Sequence, residues 1–282
     1  MESSTTNSKK YCIAVDGSEY SDWAFQLVTD ELYQKGDKIL LVHISNSTKF
    51  SDIPFAFRPK TILSKYDAKL AGKFSTKDYK ILTQERDSNS THALLQVNNI
   101  AIKEQCTVLV LGFHGHNMNK DKKEISKGIS FIISNIKLPT IVVKESIKRS
   151  NKNNGHFTWA ASIEEANSRS FKAFEFFTNY IDTQRDHLIG SHITNLGEEK
   201  AQEVKLYFEQ TCQIKAITNY SFNLIEYSSK ISIGNTIINY INFNENETID
   251  FLIVGHNPKK NSENSPLHIV IKSAQCNVLF YS

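Results

Sequence analysis

The chain has 282 residues, enough for one or two domains and two ordinary hydrophobic cores. Hydrophobic residues make up 40% and charged residues 22%, which excludes global disorder and a fibrous class. A net charge of +3 gives no argument for nucleic acid or a membrane surface as partner, and no apolar run nears the ~20 residues that span a bilayer.

Residues 1–10 are polar without an apolar core, so a disordered tail rather than a secretory leader is expected there, and the cytoplasm is the expected compartment. The four cysteines, Cys12, Cys106, Cys212 and Cys276, lie far apart with no CxxC pair and are expected reduced and buried. Tyr11 to Val15 reads as a short strand ending at Asp16-Gly17-Ser18. From Glu19 to Tyr33 the apolar residues Tyr20, Trp23, Ala24, Leu27, Val28 and Leu32 recur at helical spacing. Gly36-Asp37 stops that helix, and Lys38 to Ile44 forms a second buried strand. Residues 46–60 read as a loop, Thr61 to Leu70 as a helix and Tyr79 to Thr83 as a third strand. Ser88 to Thr91 offer N-caps to a helix carrying Leu94, Leu95, Val97, Ala101 and Ile102.

The most informative stretch follows, from Thr107 to Ser130. A buried strand breaks at Gly112, Gly115 comes three residues later, and after a Lys-rich loop Gly128 heads an apolar-periodic segment near Ile129 to Ile136. Strand, glycine turn and helix start in that order make a place for an anion. Glycine allows φ > 0 and close backbone approach, and a helix N-terminus presents free N–H groups. A last strand, Thr140 to Lys144, completes five strands alternating with helices, the pattern of a parallel sheet covered on both faces. Residues 146–156 are polar and charged and are expected to link a domain at 11–145 to a second at 157–282.

The second half repeats the first. With Gly255 placed on Gly112, the halves run without a gap through strands three and four: Tyr79 meets Phe222, Leu82 meets Ile225, Leu94 meets Ile237 and Val97 meets Tyr240. Asp37 to Ser45 matches Asp186 to Thr194 with His43 on His192, Ala14 to Phe25 matches Ala160 to Phe171, and Thr140 to Val143 matches Asn277 to Phe280. Matches in one order indicate a tandem duplication, two copies of one sheet set back to back.

With Val15-Asp16-Gly17-Ser18, LLVHI at 40–44, Gly112-x2-Gly115 with Gly128, and PTIVV at 139–143, the first half resembles the universal stress protein family. The resemblance implies tandem α/β units of the adenine-nucleotide alpha-hydrolase type, each an open five-stranded parallel sheet ordered 3-2-1-4-5. Strands one and four then meet at a topological switch point, which sets Asp16 beside Gly112. It also implies ATP or AMP there, with Asp16 facing the adenine, Ile44 lining its pocket, and Gly112, Gly115 and a later Gly-Ser/Thr pair cradling ribose and phosphates. The last strands, 139–144 and 277–281, are expected to pair as an internal pseudo-dimer.

The family spaces its motif Gly-x2-Gly-x9-Gly-Ser/Thr, whereas twelve residues separate Gly115 from Gly128 and Ile129 stands where a hydroxyl is wanted. A register anchored on the last strand puts Lys127 in the third-glycine place and Gly128 in the hydroxyl place; Ser130 is the nearby hydroxyl in either. In the second half Ser162 replaces the Asp, Pro258 the second Gly, and Asn264-Ser265 stand at the third, so that site reads as lost.

Each feature has a plainer reading. Asp16 can cap the following helix, and Gly112 and Gly115 can be turn glycines. His114 and His116 are expected to be solvated loop residues rather than metal ligands. His43 and His192, repeated at one strand position, suggest a structural hydrogen bond. Lys120, Lys122 and Lys123 are offset by Asp121 and Glu124. Phe171, Phe174, Phe176, Phe177 and Tyr180 read as core. No catalytic motif is found, and Ser18 beside Asp16 has no evident His base. The reading is a regulatory adenine-nucleotide module with slow hydrolysis or none. The alternative is a nucleotide-free scaffold bound to protein partners or to further copies of itself.

Overall fold

The computed structural model describes residues 8–46, 54–87, 92–115, 124–135, 138–152, 155–165, 168–194, 198–227, 230–242, 247–257 and 265–281. The first half contains β1 (Lys10–Ala14), α1 (Glu19–Gln26), β2 (Lys38–Ser45), α2 (Pro59–Ala71), β3 (Tyr79–Glu85), α3 (Ala93–Lys103), β4 (Val108–Gly112), α4 (Lys127–Asn135) and β5 (Thr140–Val143). The second contains β6 (Thr158–Ser162), α5 (Arg169–Phe177), β7 (His187–Thr194), α6 (Glu198–Ile214), β8 (Tyr220–Glu226), α7 (Ile233–Asn242), β9 (Phe251–Gly255), α8 (Pro266–Ser273) and β10 (Asn277–Tyr281). Ser18 and Ser168, both in extended backbone, cap α1 and α5 by accepting the N–H of Ser21 and Phe171. Past α1 the chain widens into a π turn over Leu27–Leu32, which carries the expected helix to its end.

Each half has the strand order 3-2-1-4-5 that the family resemblance implied. The halves are not back to back, however. They lie edge to edge in one ten-stranded sheet, β3-β2-β1-β4-β5-β10-β9-β6-β7-β8. Every neighbouring pair is parallel except β5 and β10. Side chains alternate between faces, so Tyr11 and Ile13 join one core with α1, α2, α5 and α6, while Cys12 joins the other with α3, α4, α7 and α8. All four cysteines are free and buried. The expected aromatic core of α5 is present: Phe171, Phe174, Phe177 and Tyr180 are buried, with Phe176 packed against them.

The central joint is self-complementary. Val278 pairs with Val142, Leu279 with Ile141 and Phe280 with Thr140. Asn277 Oδ1 accepts the backbone N–H of Lys144 (2.8 Å) and of Glu145 (3.2 Å), and Lys144 Nζ donates to the carbonyls of Ile271 and Ala274. The 146–156 segment is tied to both halves through Arg149. Its guanidinium pairs with Asp186 (2.6 and 3.0 Å) and reaches Glu31 (3.3 Å). At the other end of the first half, Ser8, Lys9 and Lys10, expected in the tail, belong to the fold: Lys9 is buried, its N–H bonded to Asp37, and Lys10 opens β1.

Ladder register corrects three of the sequence matches. β1 pairs Tyr11 with Ile39 and Val108, while β6 pairs Trp159 with Leu188 and Phe251. Tyr11 therefore corresponds to Trp159, and the counterpart of Asp16 is Glu164, not Ser162. Likewise Ile39 pairs with Tyr79 and Leu188 with Tyr220, so Tyr79 corresponds to Tyr220 rather than Phe222. A gapless comparison slid β6 and β8 by two residues, which preserves the inward–outward alternation and so leaves the hydrophobic pattern intact. The last strands were matched one residue off: Gly112 pairs with Val143 and Gly255 with Tyr281, so Thr140 corresponds to Val278 rather than Asn277.

Candidate functional site

The ends of β1 and β4 splay at the switch point of the first half and open a cleft of about 370 Å³. Asp16, Ile44, Gly112, Gly115 and Gly128 all line it, although they come from four separate stretches of chain. Ser130 does not. It lies one turn inside α4, and its carbonyl accepts the hydroxyl of Ser134. The hydroxyl that α4's start brings to the cleft is that of Ser126, whose Oγ accepts the N–H of Ile129.

Asp16 does not cap α1; Ser18 does. Asp16 Oδ1 instead accepts the N–H of Ser18 at 3.0 Å, across a turn in which Gly17 has φ +83°. Only glycine adopts that backbone without strain, and a side chain there would also press on Ile62 and Phe57. Ser18 Oγ then donates to the His114 carbonyl, holding the loop after β4 against the start of α1.

The loop glycines are present for a different reason from the one expected. Gly17, Gly36 and Gly155 are the described glycines with positive φ, so Gly112, Gly115 and Gly128 do not occupy left-handed backbone. A Cβ on Gly112 would come within 2.7 Å of the Tyr20 carbonyl carbon, and one on Gly255 within 2.3 Å of Ser170 N. In both halves this glycine lets the first helix press against the fourth strand. Gly115 is different: a Cβ there would meet Asp16 Oδ2 at 2.8 Å, on the cleft wall itself.

His114 is buried rather than solvated, edge-on to Tyr20 at 5.1 Å, and its Nδ1 has no hydrogen-bond partner. Burial, with a smaller contribution from the Lys144 charge, holds its pKa below the ordinary value, which favours the neutral ring. His116, Lys120, Lys122, Lys123 and Asp121 lie outside the described residues, as do Ser88 to Thr91, Pro258 and Asn264. Among the described residues no group of three His, Cys, Asp or Glu is placed to hold a metal. His43 and His192 have the structural role expected, each with Nδ1 2.8 Å from a carbonyl, of Val15 and Ile163.

Arg86 and His92 were not anticipated, and both line the cleft. Arg86 follows β3 directly, at the carboxyl end where an open α/β sheet binds ligands, and that position is the signal that would have found it. The floor is apolar, with Val42, Leu94 and Val97 among its residues.

The matching cleft in the second half is about 260 Å³ and contains Gly255, Ser162, Ile193, Glu164 and Glu165. Pro266 and Leu267 close one side, and no Lys or Arg is among its described lining residues. Two carboxylates at its mouth oppose a phosphate.

No protein-family model and no curated protein matches the sequence. Solved structures do match the fold. A universal stress protein from Archaeoglobus fulgidus is 15% identical with a TM-score of 0.65, covering 98% of this chain and 97% of that one. A putative universal stress protein from Pseudomonas aeruginosa is 11% identical with a TM-score of 0.62, covering 98% and 94%. A functionally unknown protein from Pseudomonas aeruginosa is 10% identical with a TM-score of 0.59, covering 98% and 93%. Among the described residues no helix is long and apolar enough to cross a membrane.

Proposed function

We propose that this chain, which has the universal stress protein fold, binds an adenine nucleotide, ATP or AMP, in its first-half cleft as a regulatory module with slow hydrolysis or none. The observation that carries this reading is the pairing of unlike walls in one cleft. Asp16 with the apolar floor of Val42, Ile44 and Val97 suits a flat ring bearing an amino donor. Arg86, His92 and the start of α4 with Ser126 suit the phosphates.

Arg86 supplies what the altered glycine loop lacks, a charged donor for an anion. The second half is read as the structural partner, because its cleft holds Glu164 and Glu165 where the first holds Asp16 and a cationic wall. Calorimetric and thermal titration with ATP, AMP and adenosine tests the proposal. Nucleotide at 100 times its Kd adds about 2.7 kcal/mol of stability, and Asp16→Ala removes the effect. No binding at millimolar nucleotide leaves the scaffold reading.

A further inference from the structure

A third cleft, of about 570 Å³, opens at the opposite end of the sheet, where the strands of the second half begin. His187 is the first residue of β7, Ser221 the second of β8, and Glu247 lies shortly before β9. The β7–β8 ladder places Ser221 beside Ile189, and His187, two residues earlier than Ile189, shares its face. His187 Nδ1 is 2.6 Å from Glu247 Oε2, and His187 Nε2 is 3.4 Å from Ser221 Oγ. A carboxylate only accepts, so Nδ1 carries the ring proton and the lone pair of Nε2 faces the serine.

Two further groups complete the cleft. Asn223 Nδ2 donates to the Tyr240 hydroxyl at 2.6 Å, which leaves the phenol's own proton free to donate. Burial holds the Tyr240 pKa above its ordinary value, so the phenol stays protonated. Ladder register shows how the first half differs: Lys38 stands for His187 and Lys80 for Ser221, and Lys80 pairs with Glu104 at 2.7 Å. There the position makes an ion pair with no nucleophile.

We propose that Ser221, His187 and Glu247 form a serine esterase site. Ser221 Oγ attacks the carbonyl carbon of an ester while its proton passes to His187 Nε2. Tyr240 donates to the oxyanion that forms, and Glu247 orients the imidazole and stabilises its charged form. The carbon–oxygen bond to the leaving alcohol then breaks as His187 returns the proton to that oxygen. Water attacks the acyl-serine in the same way, releasing the carboxylic acid and restoring Ser221, so ester and water give acid and alcohol. The 3.4 Å contact is longer than a reacting hydrogen bond and shortens when substrate closes the cleft. Ile189 and the half-exposed Leu224 offer apolar contact, and Glu247 disfavours anions, so short uncharged esters are the substrate class.

The test uses the full chain, a fluorophosphonate serine probe and p-nitrophenyl acetate. The expected result is one label per chain, mapped to Ser221, and turnover that falls about a hundredfold or more in Ser221→Ala and in His187→Ala. Ser221→Cys, nearly isosteric, keeps the fold and becomes reactive toward p-nitrophenyl acetate through sulfur, which separates loss of chemistry from loss of structure. Glu247→Gln lowers kcat with KM little changed. Absence of labelling, a label on any other residue, or labelling of Ser221→Ala equal to the parent overturns the proposal. None of these outcomes depends on nucleotide binding in the first half.

Discussion

Gly112 sits so close to Tyr20 that a methyl group on it would lie 2.7 Å from the tyrosine's carbonyl carbon and 2.8 Å from its Cβ. The backbone of α1 cannot yield there without losing its seat on β4. Gly112→Ala is therefore expected to cost about 1–3 kcal/mol. Gly255→Ala costs at least as much, since its nearest backbone atom is Ser170 N at 2.3 Å. Gly128→Ala meets only the mobile end of Leu94 and gains helix propensity, so its stability changes by less than about 1 kcal/mol. Urea midpoints of the three variants check the order.

In the proposed nucleotide complex, base and phosphates meet different walls of the cleft. Gly115→Ala displaces the Asp16 carboxylate, whose Oδ2 would lie 2.8 Å from the new Cβ. It is expected to weaken ATP, AMP and adenosine alike, as Asp16→Ala does. Arg86→Ala weakens ATP by about tenfold or more while leaving adenosine nearly unchanged, because a charge-assisted hydrogen bond to phosphate is worth about 1.5–3 kcal/mol. Calorimetric Kd values for the three ligands check this.

Asp186 is fully buried and accepts the Phe157 N–H, the Asp182 N–H and the Trp159 indole N–H in addition to Arg149. Arg149→Ala leaves that carboxylate without its counter-charge and is expected to destabilise the protein by about 3–5 kcal/mol. Denaturant titration measures the loss. Arg149→Lys recovers only part of it, since an ammonium cannot span both carboxylate oxygens.

Stability should depend on pH through the joint between the halves. Burial, then the Asp250 charge, raises Glu145 from 4.5 to about 7. The folded state thus binds more protons between pH 4.5 and about 7, and stability falls as pH rises through that window. Burial lowers Lys144 from 10.5 to about 8, so the unfolded state binds more protons above that, and stability rises between about pH 8 and 10.5. The two contributions give a minimum between about pH 7 and 8. Urea midpoints across pH test it: Glu145→Gln flattens the falling limb and Lys144→Met the rising one.

Much of this architecture can be read from the sequence, because alternating apolar periods and an ordered repeat are local signals. The alternation of strands and helices, the helical spacing of α1 and the glycines of the β4 loop follow from them; strand order, the β5–β10 joint and the places of Asp16 and Ile44 were implied by the family resemblance. Register follows from neither. Sliding β6 or β8 by two residues keeps every side chain on its own face, and only hydrogen-bond partners such as Ile39 and Tyr79 decide between the choices. The role of Gly112 was also hidden, since a glycine kept for a passing helix and one kept for a ligand look alike in a string. Ser130 missed the cleft because the chain starts α4 at Ser126, a cap that no periodicity marks. Arg86 and His92 lie where β3 ends and α3 begins, and His187 and Ser221 come from separate strands and Glu247 from the stretch before β9, with no fixed spacing.

The antiparallel meeting of Val142 with Val278 and Phe280 with Thr140 has a further effect. A contact of this kind between two separate molecules fades as the solution is made thinner, because reassembly must wait for an encounter. Here both sides travel on one polypeptide, at a local concentration set by the short stretch around Arg149. The joint therefore survives dilution, and each half keeps its neighbour at any protein concentration.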